Sequence, residues 1–563
     1  MPANIIGLSC HYHDSAACLM QEGRLAAVAQ EERFNRRKNS PDFPLQALNY
    51  CLQAAGLSVF DLDAVVFYEK PYLKFARVLI SHLRAFPRSY GSFRRTMPSW
   101  LADRLALPLV LQRETGFSGK TLFIKHHLAH AASAFLVSPF EDAAILTADA
   151  VGEWATMARG RGQGSAIRLT HEIHFPDSLG LLYTAVTTFL GFEAHEGEGK
   201  VMGLAGFGRP IFLEKIKSIV ALRSDGSFAM DQSYFDFYSE DRMYSRRFVE
   251  FFGKPREPGA ELEERHYDLA ASLQAFIEEA IILAARDLHA QTKTPNLCLA
   301  GGLFLNCVMN QKILEETDFK NLFVQPAAGD AGGALGACAF VSHSLLNRPR
   351  DGRMDPYLGP EYPVSRAKRV LTNANLAFRE LSDEELYRSV AQKVVQGQVV
   401  GWCQGRMELG PRALGNRSIL GDPRNPAMKE IINEKVKHRE PFRPFAPAVL
   451  EENAAEYFHL TQSSPFMLLA PRVRQEKKSV IPAVTHVDGT ARVQTVSRGL
   501  NPRFWSLIHA FADLTGLPML INTSFNLRGE PIVCTPEDAV STFQRSRMDA
   551  LVLGNLVVER GAP

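Results

Sequence analysis

Apolar runs separated by polar turns mark out the first thirty residues. NIIGLS (4–9), SAACLM (15–20) and LAAVAQ (25–30) read as three strands, joined by the polar loop CHYHD and the turn QEGR. Glu22-Gly23 suits a tight hairpin turn. The stretch HHLAHAASAFL, starting at His126, reads as a helix, and the apolar run AAILTAD as a strand that stops at Asp149 before the turn DAVGE. From Glu261 to Thr292 the pattern is that of a long amphipathic helix, followed by a strand (NLCLA), Gly301-Gly302 and a further helix. NLFVQPAAGDAGGALGACAF repeats that logic, with Asp330 at the turn and a small-residue helix behind it. Asn347 to Pro363 concentrates Pro, Gly and charge, and is the clearest boundary in the chain.

A length of 563 residues exceeds what one core supports and predicts two to four domains. The composition, 46% hydrophobic and 22% charged, is that of an ordinary globular protein. A net charge of +2 gives no global field for nucleic acid or an anionic membrane, so neither is an expected partner. The eight cysteines form no C-x-x-C pair, which predicts reduced core residues in a cytoplasmic protein. No signal-peptide pattern opens the chain, and no apolar window approaches the length of a membrane span. Pro71 to Ala102 has no Asp or Glu, but sets Lys74, Arg77, Arg84, Arg88, Arg94 and Arg95 among aromatics. A helical insertion with packed aromatics and solvated arginines is the expectation there, with a lid over a substrate site as the functional alternative.

His126 and His130 are four apart, so on a helix both imidazoles leave one face, while His127 is turned about 100° away. With Asp149 and Asp330 at strand ends they make a four-ligand set for a hard or borderline divalent ion such as Fe(II), Mn(II) or Zn(II). An ordinary core helix can carry the same histidine spacing, so the two aspartates carry the inference. GFEAHEGEGKVMGLAGFG is no Walker A: Ala194 stands where the first glycine belongs and Val201 follows Lys200. The turn could still carry Lys200 toward phosphates, and Gly301-Gly302 could let a purine lie against bare backbone. Arg33, Arg36, Arg37 and Lys38 crowd one short run, either as a solvated helix end or facing an anion. Beyond residue 363, Arg406, Arg412, Arg417, Lys437, Arg439, Arg443 and Arg492 lie among glycines and prolines, with Asn522, Ser524 and Asn526 after an apolar strand. That texture suits oxyanion capture, the alternative being salt bridges to Glu408, Asp422 and Glu440.

HDSAA, HHLAHAASA, DAVGE, LAGGLFLN, GDAGGALGA, GRMELGPRALGNRSIL, FRPFAP, HVDGTARVQTV and INTSFN together resemble the NodU/CmcH O-carbamoyltransferase family, in order along nearly the whole chain. Leu409 stands where that family has Phe, an apolar exchange. The resemblance implies an α/β protein. An actin-like ATPase (duplicated ribonuclease-H-like) domain would span 1–346, with the helical insertion at about 71–115 and a linker at 347–363. A YrdC-like α/β domain would span 364–563. It implies carbamoyl-adenylate formation from carbamoyl phosphate and ATP with Mg, then transfer to a hydroxyl of a natural-product or sugar acceptor. The implied metal is Fe(II) foremost, with Mn or Zn as alternatives, on His126, His130, Asp149 and Asp330. His13 and Lys38 match family positions at the transfer centre, with Asp14, beside His13 in its loop, as a further catalytic candidate, and Lys200, Gly301, Gly302 and Asn306 are the nucleotide-binding candidates. Arg412, Lys437, Arg443, Arg492, Asn522 and Ser524 would bind carbamoyl phosphate. A neutral His13 with an ordinary pKa suits a general base. A homodimer is one assembly open to such an enzyme. The rival readings are a threonylcarbamoyl-type tRNA-modifying transferase, which would need a basic face, and an actin-like sugar kinase, which would not need the arginine cluster.

Overall fold

In the computed structural model, residues 3–238 and 242–560 are described. The three N-terminal runs form strands β1 (Asn4–Ser9), β2 (Ala16–Gln21) and β3 (Arg24–Gln30) of an antiparallel meander. Glu22 and Gly23 both take left-handed φ, 49° and 86°, the pairing a type I′ hairpin turn requires. β4 (Ala64–Phe67) and β5 (Thr121–Phe123) add parallel to β1, giving the order β3-β2-β1-β4-β5.

The second sheet repeats this plan. β6 (Asp142–Ala148), β7 (Ala155–Gln163) and β8 (Ala166–His174) form the meander. β9 (Val220–Leu222) and β10 (Phe228–Met230) stand apart as a two-stranded ladder. β11 (Asn296–Ala300) and β12 (Asn321–Val324) then add parallel to β6, in the order β12-β11-β6-β7-β8. Counted from each meander, both sheets run 3-2-1-4-5.

Two small-residue helices join the sheets. Helix His126–Phe135 follows β5 but packs on β6 and β11, while helix Ala331–Ala339 follows β12 but packs on β1 and β2. They cross at Gly336, where a Cβ would lie 1.8 Å from the Ala129 carbonyl oxygen. Only a missing side chain permits that approach.

Residues 71–115 are largely helical, in Pro71–Arg84, Tyr90–Ser99 and Leu107–Thr115 with a short turn of wide helix at Trp100–Arg104. The expectation of packed aromatics and solvated cations is met only in part. Arg84, Arg88, Arg94 and Arg95 are exposed and Trp100 is buried, yet Lys74 and Arg77 are buried while Tyr72, Phe86 and Tyr90 face solvent.

Contacts divide the chain into a unit of Met1–Glu31 with Asn39–Met354, and a second of Glu32–Lys38 with Asp355–Pro563. The second unit holds a mixed eight-stranded sheet of β13 (Arg379–Glu380), β14 (Val400–Cys403), β15 (Arg417–Gly421), β16 (Ala446–Leu450), β17 (Gln494–Val496), β18 (Met519–Ser524), β19 (Ala550–Leu553) and β20 (Leu556–Glu559). Its order is β13-β20-β19-β14-β15-β18-β16-β17. Helices Asp383–Val395 and Pro502–Thr515 pack together over a core that includes Trp402, Phe504 and Phe511. In segment Glu32–Lys38, Arg33 donates to the Gly410 carbonyl at 2.7 Å, and Arg36 to those of Ile532 and Pro531 at 2.7 and 2.8 Å. Those two cations bind backbone of the second unit, which corrects the reading of the run as a solvated helix end. Among the described residues no helix is long and apolar enough to cross a membrane.

Candidate metal centre and anion site

Four side chains converge where the two crossing helices meet the ends of β6 and β12. The His126 and His130 Nε2 atoms lie 3.0 Å apart, and Asp149 Oδ2 is 3.2 and 3.1 Å from them. Asp330 Oδ1 approaches the same nitrogens at 3.6 and 3.5 Å. All four donor atoms fall within 4.8 Å of one another. Donors about 2.1 Å from one ion and cis to each other in an octahedron are about 3.0 Å apart, so this spacing fits a single divalent ion. Asp330 Oδ1 is buried without a hydrogen-bond partner. An orphaned carboxylate oxygen aimed at two imidazoles is the signature of a ligand set. The group can hold a metal ion, as its residues predicted.

Local backbone fixes each ligand. Asp149 Oδ1 accepts from the N–H groups of Ala150 and Gly302 at 2.8 and 3.3 Å, which leaves Oδ2 for the histidines. Gly301, at φ 104°, brings that turn close: a Cβ there would sit 2.1 Å from the Ala148 carbonyl. The Tyr68 hydroxyl donates to Asp330 Oδ2 at 3.3 Å. Glu153 accepts the His126 backbone N–H at 3.0 and 3.2 Å and that of Lys70 at 2.8 Å. It thereby closes the N-termini of both the His126–Phe135 and Pro71–Arg84 helices. The sequence reading missed Glu153, although it lies in the DAVGE turn. His127 bonds Thr147 Oγ1 and the Ala155 carbonyl at 2.7 and 3.0 Å, and burial holds its pKa well below the usual value. It is the structural histidine of the three.

His13 lies at the edge of the centre, with Nε2 3.8 Å from Asp330 Oδ2 and Nδ1 3.0 Å from Asp14 Oδ2. Burial lowers its pKa, but Asp330 and Asp14 outweigh burial and lift it to about 9. The ordinary pKa expected for a base is therefore not what the ion-free site gives. Burial likewise opposes a proton on His130, and Asp149 and Asp330 raise it to about 9. The glycine-rich turn delivers His195 rather than Lys200: the His195 ring is 4.7 Å from His13, while Lys200 Nζ stands 5.6 Å over the Phe192 ring. Asn306 uses Oδ1 to cap the helix Cys307–Glu316 through Met309 N–H at 3.1 Å, and its amide donates to Gln274 at 2.8 Å. Lys38 is exposed and belongs to the segment that groups with the second unit.

In the second unit Lys437 is buried. Its Nζ donates to Asn526 Oδ1 at 2.7 Å, to Ser524 Oγ at 3.2 Å and to the Ser524 carbonyl. It thus shapes the INTSFN turn. Burial, then Arg439 and Arg443, pull its pKa well below the usual value. Arg439 is depressed in the same way by burial, Arg443 and Arg492. Cations buried this close to one another form a candidate anion site. Asn522 donates to the Ala413 carbonyl and to Gln494 Oε1 at 3.1 and 2.8 Å, while its own buried Oδ1 has no partner. The half-buried Arg412 adjoins that carbonyl in the chain. Arg417 must leave the anion reading. It is fully buried, and its guanidinium donates to the carbonyls of Gln404, Gly405, Asn416, Pro360 and Cys534. Arg406 likewise donates to the Leu358 carbonyl at 2.7 Å. Arg439, which the resemblance leaves out of the carbamoyl-phosphate set, lies half-buried in the same cluster of cations.

A mixed α/β enzyme with a candidate metal centre in one unit and a partly buried cluster of cations in the other is the class these features define. The family model for the carbamoyltransferase N-terminus matches residues 4–339, and that for the carbamoyltransferase C-terminus matches 391–560. The chain is 45% identical to the protein sll1178 of Synechocystis sp., over 99% of this chain and 97% of that one. It is 39% identical to the nodulation protein NolNO of Sinorhizobium fredii, over 97% and 79%. Against the 3'-hydroxymethylcephem-O-carbamoyltransferase of Streptomyces clavuligerus it is 31% identical, over 63% and 64%. The chain belongs to the NodU/CmcH O-carbamoyltransferase family and is an enzyme that transfers carbamoyl groups.

Proposed function

We propose that this enzyme makes carbamoyl-adenylate from carbamoyl phosphate and ATP, then moves the carbamoyl group to a hydroxyl of a small-molecule acceptor. The observation that carries this reading is the pair of chemically different sites: an N₂O₂ donor set in one unit and mutually depressed cations in the other. In the first step, water attacks the carbonyl carbon of carbamoyl phosphate, the bond from that carbon to the phosphate oxygen breaks, and carbamate and phosphate form, one of the water's protons going to the phosphate and the other to solvent. The carbamate oxygen attacks the ATP α-phosphorus, and pyrophosphate leaves. In the second step, the acceptor oxygen attacks the carbamoyl carbon, AMP leaves, and the hydroxyl proton passes to a base.

Arg412, Arg443 and Arg492 suit the dianionic phosphate, and Asn522 and Ser524 the small planar carbamoyl group. Lys437 contributes charge and holds Ser524 in place. Bare backbone at Gly301-Gly302, beside Asp149, supports a nucleotide there; Asn306 supports it only by capping the following helix, and Lys200 from a turn farther on. His126, His130, Asp149 and Asp330 are the residues that would hold the metal, and Fe(II) is our first choice over Mn and Zn. When bound, such an ion supplies Lewis-acid polarisation of the carbamoyl carbonyl and neutralises the paired carboxylates. With Asp330 neutralised, His13 keeps Asp14 as its partner, which fixes the Nδ1 proton and leaves Nε2 as the base for the acceptor hydroxyl. Lys38 remains a catalytic candidate from the resemblance. The shared 3-2-1-4-5 order supports an actin-like, duplicated ribonuclease-H-like fold for residues 1–346, and the mixed sheet is compatible with a YrdC-like domain over 364–563.

The test is product release by the purified enzyme with ATP, Mg, Fe(II) and carbamoyl phosphate. Pyrophosphate and phosphate should appear together and only with both substrates present, and mass spectrometry with a true acceptor should show one added carbamoyl group. Formation of ADP without carbamoyl phosphate would defeat the proposal.

A further inference from the structure

The helix Pro71–Arg84 is inside out. Lys74, Arg77 and Ser81 are 4%, 8% and 8% exposed, whereas Tyr72, Leu73 and Leu83 on the opposite face are 71%, 43% and 67% exposed. Burying a cation is costly unless an anion meets it. Lys74 has one, Glu69, at 2.5 Å. Arg77 has no such pair: its Nε is buried without a hydrogen-bond partner, and Glu69 and Glu153 act on its charge only from a distance, neither forming an ion pair with it. The Phe175 ring lies 5.2 Å beneath the guanidinium carbon. A cation–π contact offsets only part of the desolvation of a buried ion.

This cation is carried on a helix tied to the metal centre. The helix is tied at its N-terminus to Glu153, the carboxylate that also holds His126. Next to the centre lies Tyr12, with Lys74 Nζ, one turn before Arg77 on the same helix, 5.0 Å over its ring and the His13 ring 4.7 Å away. Tyr12 feels both Arg77 and the carboxylates Asp330 and Asp149. Arg77 and the metal ligands therefore act on one shared side chain, Tyr12.

We propose that Arg77 forms an oxyanion subsite in the acceptor pocket, so that the hydroxyl compound carbamoylated here carries a carboxylate or phosphate group. The planar guanidinium fork pairs with such a group through two parallel hydrogen bonds. A neutral acceptor would leave the buried charge unmatched. The inference rests on transfer taking place at the His126/His130/Asp149/Asp330 centre.

Calorimetric binding of three probes tests it: glucuronate, glucose 6-phosphate and the neutral methyl glucoside. The wild-type enzyme should bind at least one anionic probe tenfold more tightly than methyl glucoside, and which one separates carboxylate from phosphate. Arg77→Gln should erase the preference and Arg77→Lys should restore part of it, with thermal melts confirming that each variant is folded. Equal binding of all three probes by wild type, including no binding of any, would overturn the proposal even if the variants do not fold. So would a preference that persists in Arg77→Gln. Pyrophosphate release by the same wild-type preparation tests the adenylation reading separately, and either result can fail without the other.

Discussion

The Glu153 carboxylate accepts the backbone N–H of His126, at 3.0 and 3.2 Å, at the first residue of the helix that carries both histidines. Because it also accepts Lys70 N–H, one buried carboxylate aligns two helix starts around the metal ligands. Glu153→Ala leaves both N–H groups without partners, at about 1–3 kcal/mol each. The expected outcome is a melting temperature several degrees lower and metal affinity weakened about tenfold or more, since supports of this kind typically cost that much. Glu153→Gln, which keeps one acceptor oxygen, should fall between. Wild-type metal affinity in Glu153→Ala by competitive chelator titration would show that the carboxylate does not position the ligands.

Direct removal of ligands gives a sharper result. His126→Ala and Asp330→Ala each delete one of four converging donors from the centre. Elemental analysis after purification with Fe(II) should find metal in wild type and little in either variant. Full retention in both would dismiss the centre.

The crossing at Gly336 makes a steric prediction. An alanine methyl there would meet the Ala129 carbonyl oxygen at 1.8 Å, and neither helix backbone can give way without parting the histidine pair from Asp330. Overpacking costs about 1–3 kcal/mol, and more where backbone is the obstacle. Gly336→Ala should lower the melting temperature and the metal content together. A variant with lowered stability but full metal content would show that the crossing supports the fold without setting the ligands.

Much of this centre is legible in the sequence because its ligands stand at ends of elements. Asp149 follows the apolar strand β6, Asp330 precedes a helix of small residues, and the histidine spacing needs only one helical turn. The N-terminal hairpin is legible for a similar reason, since apolar runs and Glu22-Gly23 fix it locally. What stays hidden depends on tertiary neighbours. Arg77 and Arg84 share one helix, yet one is buried and the other is exposed. The periodicity of Tyr72, Leu73 and Leu83 points the wrong way, because the apolar stripe faces out. Arg417 and Arg439 lie in similar glycine- and proline-rich surroundings, but only the carbonyls around Arg417 reveal that it anchors backbone.

Arg439 offers a trade between function and stability. Its guanidinium lies 4.3 Å over the Phe445 ring, and burial together with Arg443 and Arg492 disfavours its charge. Arg439→Met keeps the stem's packing and removes the buried charge. Without ligand, the second unit should melt at the same temperature or higher than wild type. Inorganic phosphate should raise the wild-type midpoint by matching the cluster, and should raise that of Arg439→Met much less. Equal phosphate shifts in the two proteins would remove Arg439 from the anion site.

His486 sets a pH limit on the same unit. Burial lowers its pKa to about 4, with Arg492 adding to the effect and Asp488 opposing it. A histidine whose folded pKa lies below its unfolded value of about 6.5 binds its proton more readily when unfolded. Stability is thus fully present above about pH 6.5 and is lost as pH falls toward 4. From pH 7 to pH 5 the loss amounts to about 2 kcal/mol, at 1.36 kcal/mol per pH unit across the interval where only the unfolded chain is protonated. His486→Gln removes the titrating group, so the fall in melting temperature between pH 7 and pH 5 should be smaller than in wild type. Comparing the two proteins at both pH values cancels the other groups that titrate in this range. An identical fall in both would mean that the His486 environment in the folded protein does not disfavour its proton.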